Sequence, residues 1–315
     1  MTSDSLPTDT ELATSVSVVI PAYNPTEMLL NTVEELVASA SMIIVDDGST
    51  QDMALLYARC KAAGATIIEL DSNKGIAAAL NCGINFALKS GCTHVLTLDQ
   101  DTTLIGNYIE NGLEQLVEAG MLGFNASLIG PSEINGKRFR HLDSRAHFAI
   151  PLEAIQSGSI VPRGILLEHG LFDEALFIDC VDIDFTLRLR RAGFEPIAGK
   201  SMGIRHTIGI KPFNNPPHAS GMLSRNIRRR LTYHSPTRRY FISRNRIIVY
   251  RRYGAAFPLW FVHSVFSETK EAILSLIVGP QKFRQFQANA LGLWHGVKGV
   301  TGPAPRRESP RRHRG

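Results

Sequence analysis

Residues 16–50 read VSVVIPAYNPTEMLLNTVEELVASASMIIVDDGST, and the order of their parts decides the fold class. Val16–Ile20 is a β-branched run of strand length, Asn24-Pro25 is a turn pair, and about Thr26–Ala38 carries apolar residues at helical spacing. A second strand, Met42–Val45, ends in the polar loop DDGST. The alternation continues downstream. A helix near Gln51–Ala63 leads to a third strand at Ala65–Leu70, and a helix near Ile76–Leu88 to a fourth at Thr93–Leu98. This spacing predicts an α/β fold with a mostly parallel central sheet and helices on both faces. In such sheets the ligand sits beyond the carboxyl ends of the strands. The loops there read PAYNP, DDGST, DSNKG and DQDT, so every one is polar and that edge is the expected site.

The second half is less regular. Leu122–Ile129 and Arg140–Ile150 read as strands, and Ile178–Ala192 as a helix stopped by Gly193. Two further helices are expected near Pro236–Tyr253 and Leu259–Val278. The second carries Glu268, Lys270 and Glu271, which leaves its apolar runs too short to span a bilayer and suits a packing or membrane-surface helix.

The 315 residues are 44% hydrophobic, enough for one large domain or two modest ones. Residues 1–15 are polar and acidic, unlike a secretory signal, and read as a disordered leader on a cytoplasmic protein. Cys60, Cys82, Cys92 and Cys180 have neither zinc nor C-x-x-C spacing, which agrees with reduced, packed thiols.

The net charge of +5 is unevenly spread. Residues 211–252 hold eleven Lys or Arg and no acid, residues 301–315 carry +4, and the remainder carries −10. The expected division is therefore a leader (1–15), an acidic catalytic body (16–210), a basic helical region (211–300) and a disordered Arg-rich tail (301–315). A basic stretch attached to an acidic body points to phosphates, whether of a substrate, an anionic membrane surface or a nucleic acid. The nucleic-acid class is disfavoured, because the stretch has no zinc knuckle and no RNA-binding signature.

The polar loops carry the chemistry. Asp99-Gln100-Asp101 ends an apolar strand, and alternate residues on a strand project to one side, so both carboxylates can face one hard cation. Carboxylates at strand ends also cap the next helix, so this motif alone does not settle its use. In Asp46-Asp47-Gly48-Ser49 a carboxylate can accept from a base or ribose, while Ser49 or Thr50 caps a helix. Asn73-Lys74-Gly75 opens a helix whose N–H groups favour phosphate. Asp179, Asp182 and Asp184 crowd a helix start, with Arg188, Arg190 and Arg191 near its end, a pattern that serves helix stability as well as catalysis. His206 can join a carboxylate metal site as a neutral imidazole. The chain has no P-loop, no G-x-G-x-x-G after the first strand and no G-x-S-x-G elbow, which counts against the corresponding NTPase, dehydrogenase and hydrolase classes.

In order, VSVVIPAYNP, IIVDDGST, NKGIAAALNCGI, LTLDQDT, SGSIV, GLFDEALFIDCVDIDFTLRLRRAGF, RHTIG and RRYFISRNRIIVYRRYG resemble glycosyltransferase family 2, and its bacterial rhamnosyltransferase branch in particular, over roughly residues 16–254. The resemblance implies a GT-A fold, a nucleotide-sugar donor, Mg²⁺ or Mn²⁺, and inversion at the anomeric carbon. It suggests dTDP-L-rhamnose as donor and a cell-envelope polysaccharide or lipid-linked saccharide as acceptor, with the enzyme cytoplasmic or peripheral on the inner membrane face. A UDP-sugar such as UDP-galactofuranose is the alternative donor. Carried over by position, Pro21, Tyr23 and Asn24 line the nucleotide pocket and Asp47 touches the base. Asn73 and Lys74 lie near the donor phosphates, and Asp99 and Asp101 form the ribose-and-metal motif with His206. Asp182 becomes the base. Many relatives carry an acidic pair where this chain has Val181-Asp182, so Asp184 stays a second candidate.

Overall fold

The computed structural model describes residues 15–138, 141–145, 148–206, 234–278 and 281–304. The leader, the basic stretch up to residue 233 and the tail beyond residue 304 lie outside the described residues, as does the expected boundary at residue 210. Contacts group the chain into two compact units, Met1–Phe172 with Asp182–Thr207, and Asp173–Val181 with Ile208–Gly315.

In the first unit, β1 (Val16–Ala22), β2 (Ser41–Asp46), β3 (Thr66–Glu69) and β4 (His94–Thr97) alternate with α1 (Met28–Leu36), α2 (Ala54–Ala62) and α3 (Ile76–Lys89). β1 pairs in parallel with both β2 and β4, and β2 with β3. Every residue of β1 is buried, as a central strand covered on both faces requires. Val16, Val18 and Ile20 join the core cluster that includes Leu29, Leu30 and Val33 of α1, while Val19 lies against Gly83 of α3.

The next elements are β5 (Thr102–Ile105), α4 (Tyr108–Met121), β6 (Ala126–Gly130), β7 (Glu133–Ile134), β8 (Lys137–Arg138), β9 (His141–Arg145), β10 (Phe148–Pro151), β11 (Ser159–Pro162) and α5 (Arg163–His169). They are followed by α6 (Val181–Arg191), β12 (Glu195–Ala198) and β13 (Gly203–His206). The main sheet has the order β3-β2-β1-β4-β11-β6-β12-β10-β9, and a smaller one has the order β5-β13-β7-β8. β11 runs antiparallel to β4 and β6, so the parallel reading holds for the first four strands and gives way to a mixed sheet beyond them.

Three elements depart from the sequence expectation for local reasons. Leu122 caps α4, so the strand expected from that residue begins at Ala126. Where one strand was expected over Arg140–Ile150, the described residues form two, β9 and β10, paired antiparallel. Asp179 and Cys180 have φ of 63° and 62°, which delays α6 to Val181 and sets Asp182 in its first turn.

Among the described residues, the second unit contains a 3-10 turn at Glu174–Leu176 and three helices, α7 (Pro236–Tyr253), α8 (Pro258–Val278) and α9 (Lys282–Lys298). Ser235 caps α7 by accepting from the Arg238 N–H, with Pro236 in the first turn. The arginines of α7 are not a solvated stripe: Arg239 and Arg244 are buried, and Arg246 pairs with Glu268 at 3.0 Å. All four cysteines are free thiols, three of them buried. Among the described residues, no helix is long and apolar enough to cross a membrane.

Candidate active site

The loops at the carboxyl ends of β1–β4 are tied to one another by hydrogen bonds. Asn24, at φ 46°, ends the β1 loop; its N–H donates to Ser49 Oγ at 2.8 Å, and its Oδ1 accepts from Thr50 N and Gln51 N. Tyr23 N donates to Gln100 Oε1 at 2.7 Å, joining the β1 loop to the Asp99-Gln100-Asp101 turn. The Tyr23 side chain is exposed, whereas Pro21 is buried within β1.

Asp46 accepts from Ser49 N and Ser49 Oγ. Asp47 is buried, and its two oxygens accept from Lys74 N at 2.6 Å and Gly75 N at 2.9 Å. Burial raises its carboxyl above the usual range, and the two backbone donors oppose that rise. The carboxylate assigned to a nucleotide base by resemblance is thus engaged in holding the Asn73-Lys74-Gly75 loop. Lys74 Nζ reaches Asp71 at 2.8 Å in a solvent-exposed pair, and Asn73 is also exposed.

Gly48 makes this loop packing possible. Its φ is +68°, and a Cβ there would lie 2.4 Å from the Ser72 carbonyl carbon. Gly48→Ala is therefore expected to cost about 2 kcal/mol or more from the left-handed backbone and the clash together. A denaturant titration checks this, and unchanged stability would mean that the two loops can separate freely.

Asp99, Asp101 and His206 converge although more than a hundred residues separate the first from the last. Antiparallel pairing of β5 with β13 sets His206 opposite Thr102, the residue after Asp101. Ligand atoms of the three side chains lie within 4.8 Å of one another, with His206 Nδ1 3.4 Å from Asp101 Oδ1 and 3.8 Å from Asp99 Oδ2. Two carboxylates and an imidazole, all half-buried, are a donor set that fits Mn²⁺ or Mg²⁺ with room for water and phosphate oxygens.

Residues that sequence reasoning did not single out hold this cluster. Ser157 Oγ accepts from Asp99 N at 2.9 Å and lies 2.8 Å from Thr102 Oγ1, which in turn lies 2.8 Å from His206 Nδ1. Gln156 Nε2 donates to Asp99 Oδ1, while Gln156 Oε1 is buried with no partner among the described residues. The available signal was the SGSIV motif, which begins at Ser157.

Gln156 also connects the cluster to the third carboxylate. A small pocket is lined by Gln156, Ile155, Phe172, Phe185, Thr186 and Asp182, among others. Asp182 is half-buried there and accepts from Ile183 N at 2.9 Å, whereas Asp184 is 2% exposed. Two arginines anchor α6: Arg188 donates to Leu171 O, and Arg190 donates to Leu152 O at 2.7 Å and pairs with Glu195 at 2.8 Å.

A family model described as glycosyl transferase family 2 matches residues 17–165. The dTDP-rhamnosyl transferase RfbF of Shigella flexneri is 26% identical over 305 residues, covering 91% of this chain and 97% of that protein. An uncharacterized glycosyltransferase of Rickettsia conorii is 31% identical over 169 residues, 52% of this chain, and the chain spans only 27% of its length. Among solved structures, GalNAc-T7, crystallised with UDP, GalNAc and Mn²⁺, superposes with a TM-score of 0.52 at 13% identity. That likeness covers 62% of this chain and 44% of the other, and it bears on the fold alone. Ordered loops, a GT-A-like α/β architecture and a likeness running nearly end to end agree: the chain is a glycosyltransferase, similar over residues 17–165 to glycosyltransferase family 2.

Proposed function

We propose that this enzyme moves L-rhamnose from dTDP-L-rhamnose to a hydroxyl of a cell-envelope polysaccharide or its lipid-linked precursor, with inversion. The observation that carries the reading is the Asp99–Asp101–His206 cluster, joined through Gln156 to the pocket containing Asp182. The sugar is supported by the Shigella relative's named activity. UDP-galactofuranose or another UDP-sugar is the competing donor.

In this reading Asp99, Asp101 and His206 hold a divalent cation, which when bound neutralises charge on the departing diphosphate. The loops ending in Tyr23, Asn24 and Asp47 wall the nucleotide, and Asn73 and Lys74 lie toward its phosphates. Asp182 takes the proton of the acceptor hydroxyl as that oxygen bonds to the anomeric carbon. The carbon–oxygen bond to the diphosphate breaks in the same displacement, and the electron pair leaves on the nucleotide diphosphate. A single displacement inverts the centre, so one carboxylate suffices. Asp182 is preferred to Asp184 as base because it lines the pocket and Asp184 is buried. Gln156 lines the same pocket, and its buried, unpartnered Oε1 is the acceptor assigned to orient that hydroxyl in this reading.

The test is a panel of nucleotide sugars with Mg²⁺ or Mn²⁺, read by nucleoside diphosphate release. Turnover of dTDP-rhamnose well above the UDP-sugars supports the proposal, and the reverse order replaces it with the UDP-sugar reading. A second test reads binding without catalysis. Asp101→Ala should weaken cation-dependent dTDP binding by about tenfold or more, since even residues that only support a ligand change metal affinity by that much. Calorimetric dTDP affinity that is the same with and without the cation in the unaltered protein would remove the metal from the mechanism.

A further inference from the structure

α8 and α9 are turned inside out for helices of a protein surrounded by water. Past Trp260, which is buried against Tyr250 near its start, the inward side of α8 is polar. Ser264 is buried, accepting from Arg246 Nη1 at 2.8 Å with the Tyr250 hydroxyl 3.1 Å away, and Glu268 pairs with Arg246 at 3.0 Å. Its outward stripe is apolar: Leu259, Val262, Phe266, Ile273 and Ile277 are all exposed, at spacings of three, four or seven that keep them on one side.

α9 repeats the inversion. Gln285, Gly292 and Gly296 are buried, while Phe286, Leu293, Trp294 and Val297 are exposed. The glycines let its backbone lie directly on α7, since a Cβ at Gly292 would come within 2.5 Å of Tyr240 O and one at Gly296 within 2.6 Å of Arg244 O. Small-xxx-small contact, polar groups turned inward and apolar groups turned outward are the packing habit of helices in lipid. Neither helix is long and apolar enough to cross a bilayer, so the fitting position is within its interface.

Charge selects the kind of surface. Lys270 stands in the apolar stripe of α8, and Lys282, Arg284 and Lys298 are exposed on α9. From Ala272 to Arg307 the sequence contains no Asp or Glu. Lys298 Nζ lies 4.8 Å from the centre of the Trp294 ring, a pairing of residue types that gathers at membrane–water boundaries. A second copy of the chain placed on these faces would bring like charges together, whereas anionic lipid complements them.

We propose that the outward faces of α8 and α9 insert into the interface of an anionic bilayer. This docking surface is independent of the donor reading. It also differs from attraction by a basic stretch alone, because Arg239, Arg244 and Arg246 of that stretch are engaged within the protein.

The experiment uses the full chain with vesicles of phosphatidylethanolamine containing about a third phosphatidylglycerol, compared with phosphatidylcholine alone. The two tryptophans make the readout specific, because Trp260 is 2% exposed and Trp294 is 58% exposed. Anionic vesicles should shift emission to the blue and allow quenching by brominated lipid, and Trp294→Phe should remove both effects. The double variant F266E/W294E should lower partition by about tenfold or more. Its donor hydrolysis in vesicle-free solution should be unchanged, which shows that it is folded. Equal partition into both vesicles, binding without an emission change, or a stable dimer that the double variant dissolves would each overturn the proposal. Insertion by a protein that hydrolyses no nucleotide sugar would support this surface while counting against the transferase substrate reading.

Discussion

Asp182→Asn is expected to lower sugar transfer by roughly 10²–10⁴-fold, the usual worth of a general base, while donor and cation affinity stay near those of the unaltered protein. The exchange keeps side-chain volume and the oxygen that accepts from Ile183 N, so α6 should form as before. It removes the basic lone pair, leaving the acceptor hydroxyl no carboxylate to receive its proton. Single-turnover kinetics with bound donor isolates that step from release. A variant retaining half of normal turnover would sink the assignment, and Asp184→Asn would then be compared. Because Asp184 is buried, its exchange is expected to lower stability as well as turnover.

The second large effect is expected from Arg244→Met, which should destabilise the second unit by about 3–5 kcal/mol. Arg244 is fully buried, and its Nη2 and Nη1 donate to Leu176 O at 2.9 Å and Gly302 O at 2.5 Å. Its Nε donates to Asn245 Oδ1 at 2.8 Å, and the guanidinium carbon sits 4.9 Å from the Phe241 ring centre. Asn245 Nδ2 completes the grip by reaching the carbonyls of Leu176, Ile178 and Asp179. Methionine fills much of the volume but takes the donors from Gly302 O and Asn245 Oδ1 and leaves Leu176 O with the Asn245 amide alone, each acceptor left unpaired costing about 1–3 kcal/mol. Chemical denaturation provides the number. A loss below about 1 kcal/mol would mean that water replaces the guanidinium without strain.

The segment gripped in this way, residues 173–181, ends where α6 begins, one residue before Asp182. Phe177, Asp179 and Cys180 hold φ between 62° and 66°, unusual for residues other than glycine. Strain of that kind persists only where surroundings impose it, which gives the Arg244–Asn245 pair its structural purpose.

The amino-terminal half was legible because β-branched runs and helical spacing repeat there, and because the loop chemistry falls at one end of each strand. Asp99 and Asp101 were visible for the same reason. What joins them to His206 was not, since Thr102 and Ser157 are ordinary hydroxyl residues until β5 meets β13 and the SGSIV turn arrives beside them. Gln156 precedes that motif without any local pattern of its own. The basic stretch misled in another way. A count of charges gives no direction, and in α7 the arginines that looked available to phosphates include two that are buried. α9 was missed because glycines and polar side chains occupy its packed side, the reverse of the amphipathic pattern used to find helices.

The strand order of the main sheet sets a schedule for synthesis of the protein. β12, near residue 195, lies between β6 and β10, both made earlier, and pairs with each. As the chain leaves the ribosome, β1–β4 can assemble early, whereas the β9–β10 hairpin has no route into the sheet until β12 emerges. A fragment ending at residue 165, the limit of the matched family model, would leave β6 with an open edge. Such an edge invites pairing with other nascent chains. Closing it requires contacts far apart in sequence, which form slowly. The last strand in is thus the one that protects the newborn protein from its neighbours.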